Sequence, residues 1–529
     1  MKFEYIKTRL LLPFLLLLAA SCSKDLDRKP FYDITSASVY TDFNNYKQLL
    51  AKCYGGLTLT GQVTGDGNPD IGGVDVGYLR GYWQMQELTT DGAVIAWNDQ
   101  YLVPMHAMDW TSQNLLVGAM YNRIFLQVMF CNEFLRQTTD EKLSANGITG
   151  NNATTTQLYR AEVRFLRAFS YWHAIDMFGN VPLVTENDPV GAFFPKQATR
   201  QELFEYVESE LKAIIPELAE PRTNEYPRID KAAAWMLLAR MYLNAEVYTG
   251  AKRYTDAITY CDAITAAGYT LEPDYRHLFL ADNDKIKSEI IFTLPFDGQH
   301  MKTYNGTTFL IHAFVGGDMD AVNDYGIDGG WYGLRTTKNT VNLFDDISGN
   351  TDSRAMFHTS GQNLEIESIG NFADGYPVTK WRNVTSTGEG GSDKLFVDTD
   401  FPMFRLGDVY LMYAEAVLRG GTGGSTAQAL AYVNQLRERA YGNTSGNITE
   451  DELTLDFILD ERGRELMWEG QRRTDLIRFG KFTGDNYLWP WKGNVKEGKG
   501  VESYRTVFPI PYTDRVANPS LDQNEGYTN

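Results

Sequence analysis

Cysteine is scarce, with 4 in 529 residues. Cys53, Cys131 and Cys261 are far apart and form no CxxC pair. That spacing excludes a disulfide framework and a cysteine zinc site, and it leaves three small hydrophobes for a core. Positive charge is also short: 49 Lys and Arg face 68 Asp and Glu, a net charge of −19. A chain this acidic repels phosphate backbones and anionic lipid, so nucleic acid is not expected as a partner. Catalytic signatures are missing as well. There is no GxSxG, HExxH, P-loop or dinucleotide fingerprint, and the glycines of GDGNPDIGG (65 to 73) lack the GK[ST] that grips phosphate. With so many acidic residues, carboxylate pairs in sequence carry no information, and the six histidines are scattered. The DGN-D run at 66 to 70 has no Gly at the sixth position and no Glu at the twelfth of a calcium loop. No enzyme and no cofactor are therefore expected, a structural cation elsewhere remaining open.

Long apolar runs are confined to the start. Lys2, Lys7 and Arg9 precede a run from Leu10 to Ala20 that is too short to span a bilayer and has the form of a secretory signal over residues 1–21. Small residues lead directly into Cys22, and LAAS-Cys22 resembles the lipobox of a bacterial lipoprotein, with Cys22 the lipidated residue and SKDLDRKP an extended tether. Two or three acyl chains anchor a protein stably, each buried methylene adding about 0.8 kcal/mol.

What the chain has in abundance is helical periodicity and aromatic rings. Residues 157–182 place Leu158, Ala161, Phe165, Phe169 and Trp172 on one helical face, with Gly179 and Pro182 closing it. Further helices are expected over 200–218, 231–248, 254–268, 405–421 and 425–440. Ala239 and Tyr242 opposite Ala257 and Cys261 have the small and aromatic pairing of a tetratricopeptide hairpin, where a small residue admits a close helix and the ring fills the groove beside it. MYLNAEV at 241 is echoed by VYLMYAEAV at 409. The expected fold is all-α: tetratricopeptide-like hairpins supporting an irregular, loop-rich face. Tyr, Phe and Trp number 31, 28 and 10, and many fall in two weakly periodic stretches, 55 to 115 and 295 to 400. Long loops with exposed rings suggest a binding surface.

Four ordered segments carry a family pattern: RAEVRFLRAFSYWHAIDMFGNVPLV (160 to 184), DTDFPMFRLGDVYLMYAEA (398 to 416), ILDERGRELMWEGQRRTDLIRFGKF (458 to 482) and FPIPYTDRVANPSLDQNEGY (508 to 527). They resemble the SusD/RagB family of outer-membrane lipoproteins across nearly the whole mature chain. The resemblance implies one SusD-like domain over 22–529, with interleaved parts 22–230 and 231–529. It also implies a lipid-anchored place on the cell surface and delivery of a glycan, or sometimes a peptide, to a SusC-like TonB-dependent transporter. The motif Arg and Glu residues around 461 to 473 suit helix ion pairs and carbonyl capping better than ligand contacts.

The loops are most similar to those of the starch-binding members, so α-glucan and its malto-oligosaccharides are the expected ligand. By position in the motifs, the resemblance assigns Trp97, Trp331 and Tyr304 to an arc that stacks on glucose rings, and Asp75, Arg80 and Gln100 to its polar contacts. The chemistry is independent of the family: a pyranose offers apolar C–H faces to an aromatic plane and a rim of hydroxyls to carboxylate, guanidinium and amide groups. Ile95 stands where the pattern has a further tryptophan and Gln100 where it has asparagine, which bears on chain length and linkage. The rival expectations are a SusD-like binder of another polysaccharide or peptide, and a tetratricopeptide scaffold without soluble ligand.

Overall fold

A computed structural model describes residues 39–72, 74, 76–191 and 193–528. The signal segment with Cys22, and Asp75, lie outside the described residues. The principal helices in chain order are α1 (Tyr46–Gly55), α2 (Tyr78–Glu87), α3 (Leu115–Gln137), α4 (Asn151–Phe178), α5 (Arg200–Ile214), α6 (Lys231–Leu243), α7 (Tyr254–Ala266), α8 (Gly306–Phe314), α9 (Leu406–Leu418), α10 (Thr426–Tyr441), α11 (Leu455–Glu465) and α12 (Arg472–Arg478). Their starts are written locally. Asn114 caps α3 by accepting from the N–H groups of Leu116 and Val117, and Thr199 and Glu202 form a reciprocal capping box on α5. Asp230 and Ser425 cap α6 and α10. Gly179 closes α4 at φ +70, a conformation that costs glycine nothing.

These helices pack as successive hairpins: α3 on α4, α4 on α5, α6 on α7, α7 on α9, and α9 on both α10 and α11. Ala239, Tyr242, Ala257 and Cys261 are all buried, as the small and aromatic pairing predicts. The expected helix over 231–248 is split, because Asn244 ends α6 and a separate turn of helix, Ala245–Thr249, follows. The stretches expected to lack periodicity contain α2 and α8, both buried along nearly their whole length; α2 carries Arg80, Gln84 and Glu87 at helical spacing, but over only ten residues, and α8 over nine.

Among the described residues three two-stranded antiparallel ribbons tie the scaffold together: β1 (Val94–Ile95) with β5 (Leu334–Arg335), β2 (Val181–Pro182) with β3 (Gln197–Ala198), and β4 (Ile290–Leu294) with β6 (Phe401–Arg405). The arginines around 462 to 473 mostly reach across elements instead of pairing along one helix. Arg462 donates to Asp408 and Asp475, Arg472 grips Asp91 at 2.7 and 2.8 Å, and Arg473 reaches Asp176. Glu465 takes Arg354, Arg405 and Arg439 together with no exposure of its own. Burial alone raises its carboxyl pKa, but the three guanidinium groups outweigh that and hold it well below the usual carboxylate range. Among the described residues no helix is long and apolar enough to cross a membrane.

Candidate functional site

The segment carrying Trp97 is fixed by two distant stretches of the chain, 334–340 and 468–487. At its base, Arg472 and the Tyr487 hydroxyl hold the Asp91 carboxylate, Trp468 Nε1 donates to Gly92 O at 2.7 Å, and the hydroxyls of Thr336, Thr337 and Thr340 donate to the carbonyls of Gly92 and Asp91. β1 then pairs with β5 in the register Val94 with Arg335 and Ile95 with Leu334, and Ala96 N donates to Gly333 O at 2.9 Å. This ladder brings residue 97 beside residue 331. Trp97 Nε1 donates to Trp331 O at 3.0 Å, and the two ring centroids stand 6.3 Å apart at 44°.

Trp331 is held in turn by α8. The N–H groups of Trp331, Tyr332 and Gly333 donate to the carbonyls of His312, Val315 and Ala313, leaving no room for side chains at two of the glycines. A Cβ on Gly330 would lie 2.1 Å from Val315 O, and one on Gly333 would lie 2.8 Å from Cε2 of Trp97. The His312 ring stacks under Trp331, centroids 4.7 Å apart at 22°. Its Nδ1 faces Gly329 O at 2.7 Å and its Nε2 faces Leu395 O at 3.0 Å. Burial lowers the His312 pKa below its usual value, with the two carbonyls and Asp328 opposing that shift.

Tyr304 completes the row, 6.4 Å from Trp331 and again at 44°. Its loop hangs on Asp66, whose carboxylate accepts from Tyr304 N at 2.7 Å, Thr303 Oγ1 at 2.9 Å, Asn305 Nδ2 at 3.2 Å and Thr60 Oγ1 at 2.5 Å. Phe396 backs the tyrosine ring at 5.1 Å. The sequence-predicted aromatics thus converge: Tyr304 is exposed, while Trp97 and Trp331 are half-buried, each with one part in the packing and one in solvent. Arg80 joins them, its guanidinium 4.4 Å from the Phe309 ring centroid and 5.8 Å from that of Trp97. Gln100 is exposed three residues beyond Trp97, with Asn98 and Asp99 exposed between them. Asp75 lies outside the described residues, although its neighbour Gly77 donates to Asn305 Oδ1, next to Tyr304. The supporting residues Asp66, His312, Gly330 and Gly333 carry no motif of their own. Only the glycine pair flanking WY in GGWYG hints at backbone packed too closely for side chains.

Such a row offers aromatic faces with a guanidinium beside them, the complement of sugar rings and their hydroxyls. Among the described residues, a cavity of about 350 Å³ lies beside Leu50, Tyr54 and Pro227, and another of about 370 Å³ beside Asn114, Leu115 and Tyr512. Among the described residues no cluster of three or more His, Cys, Asp or Glu side chains is arranged to hold a metal ion.

Two family models match the chain: "SusD family" over residues 350–527, and "Starch-binding associating with outer membrane" over residues 77–243. The starch-binding protein SusD of Bacteroides thetaiotaomicron is 33% identical, the alignment covering 100% of both chains. A SusD-like protein of Formosa agariphila is 24% identical over 98% of each chain. Among solved structures, a SusD superfamily protein from Bacteroides vulgatus superposes with a TM-score of 0.70 at 20% identity, covering 92% of this chain and 99% of that one. A surface glycan-binding protein A from Bacteroides thetaiotaomicron, solved with laminarihexaose, gives a TM-score of 0.66 at 22% identity over 91% and 99%. With this all-α scaffold and a relative aligned along its whole length, the chain belongs to the SusD family.

Proposed function

We propose that the protein is a non-catalytic, cell-surface binder of starch and its malto-oligosaccharides, which passes them to a SusC-like TonB-dependent transporter. The observation that carries the reading is the arc. Trp97 and Trp331 meet at 44°, and so do Trp331 and Tyr304. A flat, two-fold polysaccharide ribbon lies best on coplanar rings; rings inclined to one another suit a chain that curves, as an α-1,4-glucan does. The likeness to a starch-binding relative along the whole chain supports the same ligand. Arg80 and Gln100, with Asp75, would take the hydroxyl edges. Cys22, acylated after removal of residues 1–21, would tether the domain to the outer membrane, with 22–529 acting as one SusD-like unit.

Base stacking on aromatic side chains is worth about 1–3 kcal/mol per ring, and sugars, which lack a π system, belong at the low end. Three stackers and a few hydrated hydrogen bonds give dissociation constants in roughly the micromolar to millimolar range, loose enough for cargo to be released. Affinity electrophoresis tests the reading. Retardation by amylopectin but not by xylan, mannan, inulin or a β-1,3-glucan is the expected result; indifference to amylopectin overturns it.

A further inference from the structure

The cleft of about 370 Å³ lies where the start of α3 meets the chain near its C-terminus, and none of the three rings of the arc lines it. Its Tyr512 wall is seated from behind. Ile510 N donates to Gln523 Oε1 at 2.8 Å, Gln523 Nε2 donates back to Ile510 O at 2.9 Å, and Tyr512 N donates to Ser112 O at 2.9 Å. The backbone is therefore fixed, yet the phenol ring is 44% exposed, and Leu115, on the same cleft, is 55% exposed.

The α3 side is made of small and amide side chains. Gly118 and Ala119 line the cleft, and a Cβ added at Gly118 would meet no described atom within 4 Å. Glycine in a helix costs stability relative to alanine, and it is at home where the chain turns left-handed or where something must approach the backbone closely. Gly118 lies inside α3 without a positive φ and without a close neighbour. Gly81 is the contrast: there an added Cβ would press on Met120 Sδ at 3.2 Å. The space over Gly118 thus belongs to the cleft and serves no packing within the described chain. The side-chain amides of Gln113 and Asn122 border the same space, and no described residue hydrogen-bonds to them.

Charge narrows the occupant. In a chain with 22% charged residues, none of the described residues lining this cleft is charged, whereas Lys47, Glu225 and Arg228 border the cavity beside Leu50. Asn114 already takes the N–H groups of Leu116 and Val117, so the helix start offers an anion little. A charged ligand finds no counter-charge among these residues, and a wholly apolar one would leave the amides desolvated and unpaired. A neutral saccharide meets both conditions, its C–H face on the Tyr512 ring and its hydroxyls on the amides.

We infer that this cleft is a second saccharide site, where a short neutral sugar lies against Tyr512 and Leu115 over Gly118, with Gln113 and Asn122 as its hydroxyl partners. The choice of α-glucan as its ligand rests on the glycan-binding reading above. Two weak sites on one protein hold a polymer more firmly than either alone, because the second contact is made within a complex already formed.

A single NMR titration with maltotriose reads both sites. The methyl groups of Leu115 and Ala119 report the cleft, and the indole N–H of Trp97 reports the arc. In the wild type both sets are expected to shift, each with its own Kd. Gly118→Leu fills the cleft from a helical position open to a side chain; it should weaken the methyl-read Kd about ten-fold and leave the indole-read Kd unchanged. Tyr512→Ala should weaken the methyl-read Kd roughly five-fold, and it carries the test if the first variant folds poorly. Indole shifts without methyl shifts overturn this inference and leave the arc standing. Methyl shifts that survive both substitutions also overturn it, since they are then relayed from elsewhere. Methyl shifts with a silent indole overturn the arc and leave the cleft as the sugar site. Silence in both sets overturns the glucan reading and this inference together.

Discussion

Gly333→Ala separates the platform from its ligand contacts, because it moves Trp97 without altering any residue proposed to touch sugar. An ideal Cβ at position 333 lies 2.8 Å from Cε2, 2.9 Å from Nε1 and 3.0 Å from Cζ2 of Trp97. Carbon atoms pack comfortably at about 3.5–4.0 Å, so the indole must retreat by roughly 0.7 Å. The backbone at 333 lies outside the left-handed region and accepts alanine, and its bonds to Ala313 O and from Ala96 N involve no side chain. The stability cost is then confined to the 3.0 Å bond from Trp97 Nε1 to Trp331 O, a net contribution of about 1 kcal/mol. Binding suffers more: one tilted plane leaves the arc, and a stacking contact of about 1 kcal/mol corresponds to a roughly five-fold rise in Kd. Titration with malto-oligosaccharide, a thermal melt and the tryptophan emission spectrum read the three effects separately. A shifted emission spectrum with an unchanged Kd would refute the reasoning, since the indole would have moved without consequence. Trp97→Ala is the blunter experiment: the ring is half-buried against Phe309 and Gly333, so both binding and stability fall.

Tyr304→Ala removes an exposed ring and should weaken glucan binding about five-fold by titration while leaving the melting temperature in place. Asp66→Ala instead strips the acceptor shared by Thr60, Thr303, Tyr304 and Asn305; it should cost about 1–3 kcal/mol in urea unfolding and weaken binding as well, although Asp66 touches no ligand. Burial lowers the pKa of His106 and of His173 to about 3, so both are neutral in the fold. As pH falls from about 6.5 towards 3 the unfolded chain takes up protons that the native state refuses, and each histidine should remove about 1.4 kcal/mol of stability per pH unit. His106 Nε2 accepts from Ile95 N at 3.3 Å, so the loss reaches the β1 strand behind Trp97; a urea midpoint that stays flat between neutral pH and pH 4 contradicts this. Glu465→Gln leaves Arg354, Arg405 and Arg439 facing a neutral amide in the core and should destabilise by about 3–5 kcal/mol, with the Kd of the remaining folded protein unaltered.

The scaffold was legible in the sequence wherever one face of a helix is wet. α5 and α7 show their period because Gln201, Glu205, Ser209 and Lys212 on the one and Thr255, Thr259 and Asp262 on the other mark a solvent side, while the longer α4 and α6 were read from their regular apolar spacing. α2 and α8 are covered as fully as α4 and α6 but run for only ten and nine residues, too few turns to show a period. The three rings of the arc were legible through motif resemblance, and their convergence follows from a two-residue ladder that no local pattern announces. The ion network behind them was half legible. Glu461, Glu465 and the nearby arginines stand out in sequence, but their partners at 91, 354, 405 and 408 are chosen by tertiary packing, which periodicity does not encode. Asp66 was visible only as part of a failed calcium loop; it proved to be the peg on which the Tyr304 loop hangs.

The bond between Trp97 and Trp331 spans 234 residues of sequence, and Tyr304 enters from a third loop. Tyr304 and Trp331 flank α8, but Trp97 joins them only when that long loop closes, a non-local contact of the kind that slows folding. Full recognition is therefore a property of the finished molecule: a nascent, truncated or half-folded copy lacks Trp97 in its place and binds more weakly. Retention on an α-glucan column would, by the same token, sort correctly folded protein from every partly folded form, making the ligand a quality gauge for the chain that carries it.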